Sequence, residues 1–195
     1  MSTHFDRNPK TLTDSLPAAM VYHPSLEALK VQVLLVLARR YNSAEEPVAA
    51  VKLAGAPMAA KIRVLPLKQR VITDFDVEIM VDGMVWDDYT EGERVALLDH
   101  ELTHLEVCVG TDGRPKMDDR GRPKLKTIGD DWVSHGFFDV IRRHGLNATE
   151  AKTIQRLNTQ VLAALEDAGV ATASMVAKVA KPRVARAGDT EEEAA

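Results

Sequence analysis

The chain predicts an α+β fold in a single domain, and three observations predict it. Apolar residues recur at three- and four-residue steps in four separate stretches, the mark of helices with one buried face. From Pro47 to Val81 the pattern changes to period two and to β-branched residues, the mark of strands. The 195 residues are enough for one ordinary domain and too few for two. The expected order is α-β-β-β-α-α-α: an N-terminal helix, a small three-stranded sheet, a central helix and two further helices.

Taken in order, residues 1–16 are polar and aperiodic and predict a flexible arm, with the domain proper spanning 17–169. Pro24 and Ser25 open a helix expected over Leu26–Tyr41, with Leu26, Leu29, Val33, Val36 and Leu37 on its buried stripe. Three strands follow, over Val48–Leu53, Ala59–Leu65 and Phe75–Val81. The third is the clearest, because Phe75, Val77, Ile79 and Val81 alternate with Asp76, Glu78 and Met80. Asp82-Gly83 predicts a turn. Thr90 and Glu93 have the spacing of a capping box and start the second helix, whose core stripe is Val95, Leu98, Leu102 and Leu105 and whose end is Gly110. Between 111 and 127 the tetrapeptide Gly-Arg-Pro-Lys occurs twice, at 113–116 and 121–124, which predicts a loose hairpin of two turns. A third helix is expected over Asp130–His144 with Gly145 as its stop, and a fourth over Thr149–Ala168. Residues 170–195 are Ala-, Lys-, Arg- and Glu-rich and predict a disordered tail.

Composition excludes several classes. With Lys plus Arg at 25 against 29 acids, the net charge of −4 excludes a bulk polycation that coats nucleic acid. A lone cysteine, Cys108, excludes an internal disulfide framework and a Cys-rich zinc finger, and suits a reducing cytosol. No apolar run reaches the ~18 residues of a membrane span, and Met1–Lys10 is polar, so the expected address is the cytoplasm, with no membrane partner.

The chemistry concentrates in His100-Glu101-Leu102-Thr103-His104, an H-E-x-x-H sequence within the best-capped helix. Two histidines four residues apart stack on one helix face, one turn apart, close enough to bind a single Zn²⁺. Glu101 then sits beside the ion, where a carboxylate acts as general base toward an activated water. One zinc per chain and a peptide or protein substrate are the expected cofactor and partner. A third protein ligand is required, and the candidates are His135, then Asp131, then Asp130, all on the expected third helix. Phe75–Val81 is expected to lend its edge to an extended peptide by main-chain hydrogen bonds. Tyr89, Arg142 and His144 are candidates by type for stabilising an oxyanion, Asp99 is either an orienting group or a solvated helix residue, and Glu106 is expected in solvent. Trp86, Trp132, Phe137 and Phe138 read as core aromatics, and Cys108 as a small buried apolar residue.

The stretch Asp74–Gly145 resembles the phage metallopeptidases, small zincin-like domains of phages and their bacterial hosts. The resemblance rests on Phe75-Asp76-Val77-Glu78-Ile79, Ala96-Leu97-Leu98-Asp99-His100-Glu101-Leu102-Thr103-His104, Asp112-Gly113-Arg114-Pro115-Lys116 and Val140-Ile141-Arg142-Arg143-His144-Gly145. It implies a zincin-like fold, His100 and His104 as zinc ligands, Glu101 as catalytic acid/base, and action in the host cytoplasm. Relatives often carry a His-Asp pair where this chain has Asp130-Asp131-Trp132, so the third ligand stays open between His135, Asp131 and Asp130.

Two other classes compete. Arg120-Gly121-Arg122-Pro123 matches the core of a minor-groove AT-hook, and Lys178, Lys181, Arg183 and Arg186 lie in the tail, so weak nucleic-acid contact through 113–126 or the tail is one alternative. Asp118 and Asp119 oppose it, and a turn is the plainer reading. A non-catalytic, zinc-stabilised adaptor is the other, against which stands Glu101, a residue that a purely structural site does not need.

Overall fold

A computed structural model describes residues 1–130 and 137–167, with side chains as far as residue 160; Asp131, Trp132, His135 and the expected tail lie outside the described residues. The chain divides into two compact units, Met1–Thr153 and a second from Ile154 onward. The first carries the sheet and the candidate site. Its class is α+β, as the periodicities predict.

The expected arm is instead a strand, β1 (Ser2–Arg7), and a helix, α1 (Lys10–Met20). A domain boundary at 17 would cut α1, whose Leu12 and Ala19 are fully buried in the core. The expected helix over Leu26–Tyr41 is also corrected. Only Pro24–Ala28 (α2) is helical, and after Lys30, at φ 53°, the chain runs into a strand, β2 (Val33–Tyr41). The physical reason lies in the run Val33–Ala38. A short unbroken apolar run fits a buried helix or a strand covered on both faces. Here Leu35 and Leu37 enter the main core while Leu34 and Val36 are buried without joining it, as a strand's alternation requires.

Short strands follow: β3 (Pro47–Val48), β4 (Lys52–Leu53), β5 (Ala56–Pro57) and β6 (Ala60–Val64). The expected strand Val48–Leu53 is thus broken in two, with β4 and β5 forming their own hairpin. Helix α3 (Leu67–Thr73) ends in Asp74 in the left-handed region, and β7 (Val77–Asp82) is the third expected strand. The Asp82-Gly83 turn proves to be a helix start: Asp82 accepts the Met84 N–H and caps α4 (Gly83–Asp88). The main sheet runs β1-β2-β7-β6, with β3 on the end of β2; β2 and β7 are parallel and the β1–β2, β2–β3 and β6–β7 pairs antiparallel.

Helix α5 (Glu91–Thr103) has the capping box expected at Thr90 and Glu93. Its Leu98 and Leu102, both 0 % exposed, belong to the same buried cluster as Val77, Ile79 and Val81 of the sheet and Leu12 and Ala19 of α1. Burial of each contributes about 1.5–3 kcal/mol, which anchors the helix by its core face. The helix stops at Thr103 rather than Gly110. The hairpin strands β8 (Leu105–Val107) and β9 (Leu125–Thr127) come next. Between them lie the two Gly-Arg-Pro-Lys turns, each with its glycine at positive φ (Gly113 74°, Gly121 73°) and each braced by an aspartate accepting a backbone N–H two residues on. Helix α6 (Phe138–His144), a short 3₁₀ turn (Gly145–Asn147) and α7 (Thr149–Asp167) complete the described chain. Among the described residues, no helix is long and apolar enough to cross a membrane.

Candidate metal centre

The last turn of α5 carries His100, Glu101 and His104, and the helix ends at His104, whose backbone N–H returns to Glu101 and Leu102. The chain then turns away into β8 while Ile128, just after β9, pairs with His104 twice. The Ile128 N–H donates to the His104 carbonyl (2.8 Å), and the Ile128 carbonyl accepts from His104 Nδ1 (2.8 Å). A carbonyl can only accept, so Nδ1 carries the proton and Nε2 presents a lone pair. His100 Nδ1 stands 2.6 Å from a Glu150 carboxylate oxygen and is likewise the donor, which turns its Nε2 to the same point. The two Nε2 atoms are 3.3 Å apart.

Two ring nitrogens facing each other at that distance can share a proton or hold a cation between them. Ligand atoms bound tetrahedrally at about 2.0–2.1 Å stand about 3.3–3.4 Å from one another, which is the separation found. Asp130 Oδ1 lies 3.9 Å from His100 Nε2 and 3.7 Å from His104 Nε2. His100, His104 and Asp130 are the described residues grouped closely enough to hold one ion. Phe137, 4 % exposed, sets its ring edge-on against both imidazoles, with centroids 5.3 and 4.8 Å away.

Charge is distributed unevenly here. Burial works against a charged His100, but the Glu150 carboxylate, with Glu101 and Asp130 nearby, raises its pKa above the ordinary value. Burial and the charge of His100 lower His104, against the pull of the Ile128 carbonyl. Burial also acts on Glu150, yet its bond to His100 holds it below the usual carboxylate range. Glu101 is 3 % exposed, and burial pushes its carboxyl up to about 7 despite His100 and the Ile62 backbone N–H. A buried carboxyl poised near neutrality beside a cation-sized gap between imidazoles is suited to taking and returning a proton.

The site opens on a cleft of about 300 Å³ whose wall includes Leu53, Met58 and Ile62 opposite His100, Glu101 and His104. The sheet edge beside it is β6, not the expected Phe75–Val81. That strand, β7, lies between β2 and β6 and has no free edge. Leu65 donates to Asp76 and Ala59 accepts from Asp82, so by the alternation of an antiparallel pair the main-chain groups of Ala60, Ile62 and Val64 point away from β7. Among the described residues no strand pairs with that side of β6.

A model of the family described as putative phage metallopeptidase matches residues 7–162. The chain belongs to the phage metallopeptidase family. No curated protein and no solved structure matches it significantly. The match begins at Arg7, the last residue of β1, so it includes α1, part of the stretch expected to be an arm.

In this member of the family the remaining candidates fall elsewhere. Asp99 is 0 % exposed and neither solvated nor in the cleft. It accepts from Arg143 Nε and Nη2 (both 2.9 Å) and bonds His23 and His144 (both 2.7 Å), tying α6 and the turn before α2 to α5. His144 is therefore committed to Asp99, Arg142 pairs on the surface with Asp139, and Tyr89 meets Thr149, so none of the three oxyanion candidates reaches the cleft. Glu106 pairs with Lys126 at the surface, as expected of a solvated residue. Trp86 and Phe137 are buried, while Phe138 is 54 % exposed; Cys108 is half-buried in the hairpin. Arg122 pairs with Asp74 (2.9 Å) and Asp76 (3.5 Å), which removes the Arg-Gly-Arg core from an extended, DNA-facing role. Asp131 and His135 lie outside the described residues. Glu150 and Ile128 carry no sequence signal: one is an ordinary acidic residue in a helix's first turn, the other acts through its backbone.

Proposed function

We propose that the chain is a zinc-dependent peptidase in which His100, His104 and Asp130 hold the ion and Glu101 is the general base. The observation that carries this is the pair of Nε2 atoms 3.3 Å apart, each imidazole fixed by an acceptor at its other nitrogen. Asp130 is preferred to His135 and Asp131 because its carboxylate lies beside both nitrogens. Bound there, zinc supplies Lewis acidity, which makes a water nucleophilic near neutral pH and polarises a substrate carbonyl.

The chain's own groups do the rest. A Glu101 carboxylate oxygen accepts the proton of the attacking water and returns it to the departing amine, and burial raises its basicity for both transfers. The outward main chain of Ala60 and Val64, with the Ile62 carbonyl, holds an extended substrate by strand addition, while Glu101 keeps the Ile62 N–H and Leu53 and Met58 border the cleft with apolar surface. Glu150 fixes the His100 ring. Glu150→Ala is expected to weaken zinc binding about 10–100-fold with the fold intact, read by competition with a chromogenic chelator. The host cytoplasm is the proposed site of action, in keeping with the lone Cys108.

The test is metal content and hydrolysis together. Purified chain should hold one zinc and cleave an unstructured protein such as casein, losing activity to a chelator and regaining it with zinc. A chain that takes up no zinc, or whose cleavage ignores the chelator, overturns the proposal.

A further inference from the structure

The second Gly-Arg-Pro-Lys turn carries a feature that the peptidase reading leaves unused. Arg122 donates through Nη2 to Asp74 (2.9 Å) and through Nη1 to the Arg70 carbonyl (3.3 Å), with Asp76 at 3.5 Å. Beneath it Arg70, 6 % exposed, clasps Asp76, 1 % exposed, through Nε (3.0 Å) and Nη2 (2.5 Å). The same Arg70 reaches back to the hairpin, to the Pro123 carbonyl (3.1 Å) and Asp118 (3.4 Å). Asp76 is itself pinned to the sheet by the Gln32 N–H (2.8 Å). Two arginines, the buried Asp76, the partly covered Asp118 and the exposed Asp74 thus clamp one point of the hairpin to the end of the sheet.

The chain emerging from that clamp leads straight to the candidate centre. Five residues lie between Arg122 and Ile128, and three of them are β9. Ile128 fixes the His104 ring through its carbonyl, and Asp130 follows two residues on. The first copy of the motif is built differently. Its turn has the same glycine conformation and the same aspartate brace, but Arg114 is 86 % exposed and near Asp112 alone (4.0 Å).

We propose that Arg122, with Arg70 and Asp76, is a positioning residue for the metal centre: it holds the strand that orients His104 and presents Asp130. This rests on the zinc reading for its affinity measurement and on the His104–Ile128 bond alone for its spectroscopic one. The buried, charge-assisted Arg70–Asp76 contact sets geometry where exposed pairs do not, and Arg122 joins it through the Arg70 carbonyl and Asp76.

The test compares Arg122→Ala with Arg114→Ala in the full chain, using zinc dissociation constants, thermal stability without zinc, and the NMR signal of the His104 Nδ1 proton. Arg122→Ala should weaken zinc binding about tenfold or more and broaden the His104 signal by exchange, even without zinc; Arg114→Ala should change neither. Arg122→Lys should recover part of the affinity, and Asp74→Asn, which keeps a residue tolerant of the left-handed conformation, should lower it a few-fold if Arg122→Ala fails to fold. A folded Arg122→Ala with wild-type zinc affinity and an unchanged His104 signal overturns the inference, as does an equal loss in Arg114→Ala. If the wild type binds no zinc, the peptidase reading fails, and the His104 signal alone decides whether the clamp positions that ring.

Discussion

Glu101→Gln is expected to keep the fold and one bound zinc while lowering kcat by about 10²–10⁴-fold, the usual contribution of a general base. Glutamine has the size and shape of glutamate, so the 3 % exposed site keeps its packing, and the amide oxygen still accepts the Ile62 N–H. What is lost is the oxygen that takes the proton. An amide cannot be protonated near neutral pH, and among the described residues the neighbouring carboxylates are committed elsewhere: Glu150 is held on His100 and Asp130 faces the two Nε2 atoms. The measurement is kcat on a fluorogenic peptide beside zinc stoichiometry and melting temperature. A variant with wild-type kcat removes Glu101 from the mechanism. A variant that loses zinc as well shows that Glu101 serves the ion rather than the proton.

The second large effect concerns the ligand set. His104→Ala and His100→Ala should each abolish stoichiometric zinc, because each removes one of the two nitrogens whose 3.3 Å separation defines the site. Asp130→Ala should weaken zinc by more than the 10–100-fold typical of an outer partner such as Glu150, since a direct ligand is lost. His135→Ala should leave zinc in place. Metal analysis after dialysis reads all four variants. Retention of zinc in Asp130→Ala with loss in His135→Ala would transfer the third position to His135 and leave the two-histidine core of the proposal standing.

How much of this was legible beforehand varies by the range of the interaction. The capping box at Thr90 and Glu93, the strands 60–64 and 77–82, the doubled Gly-Arg-Pro-Lys turn and the four-residue histidine spacing all follow from contacts between near neighbours. The run Val33–Ala38 misled because its unbroken apolarity is shared by buried helices and doubly covered strands; only pairing with β1 and β7 distinguishes them. Residues 2–7 look like an arm because a polar edge strand, exposed along its whole length, shows no alternation. The helix end was misplaced by seven residues, since Leu105 continues the apolar stripe yet enters β8 once Ile128 captures the His104 backbone.

What the sequence by itself determined is the chemistry: two imidazoles one turn apart with a carboxylate between them, on a capped helix, in a chain whose family the same block reveals. Helical geometry dictates that arrangement whatever the rest of the molecule does. What only the tertiary structure decided is which groups complete it. Glu150 reaches His100 from 50 residues away, the Ile128 carbonyl reaches His104 from 24, and β6 rather than β7 borders the cleft. Those partners are chosen by sheet order, strand register and the path of the hairpin, which depend on how the whole chain buries its apolar surface and leave no local imprint on the residues themselves.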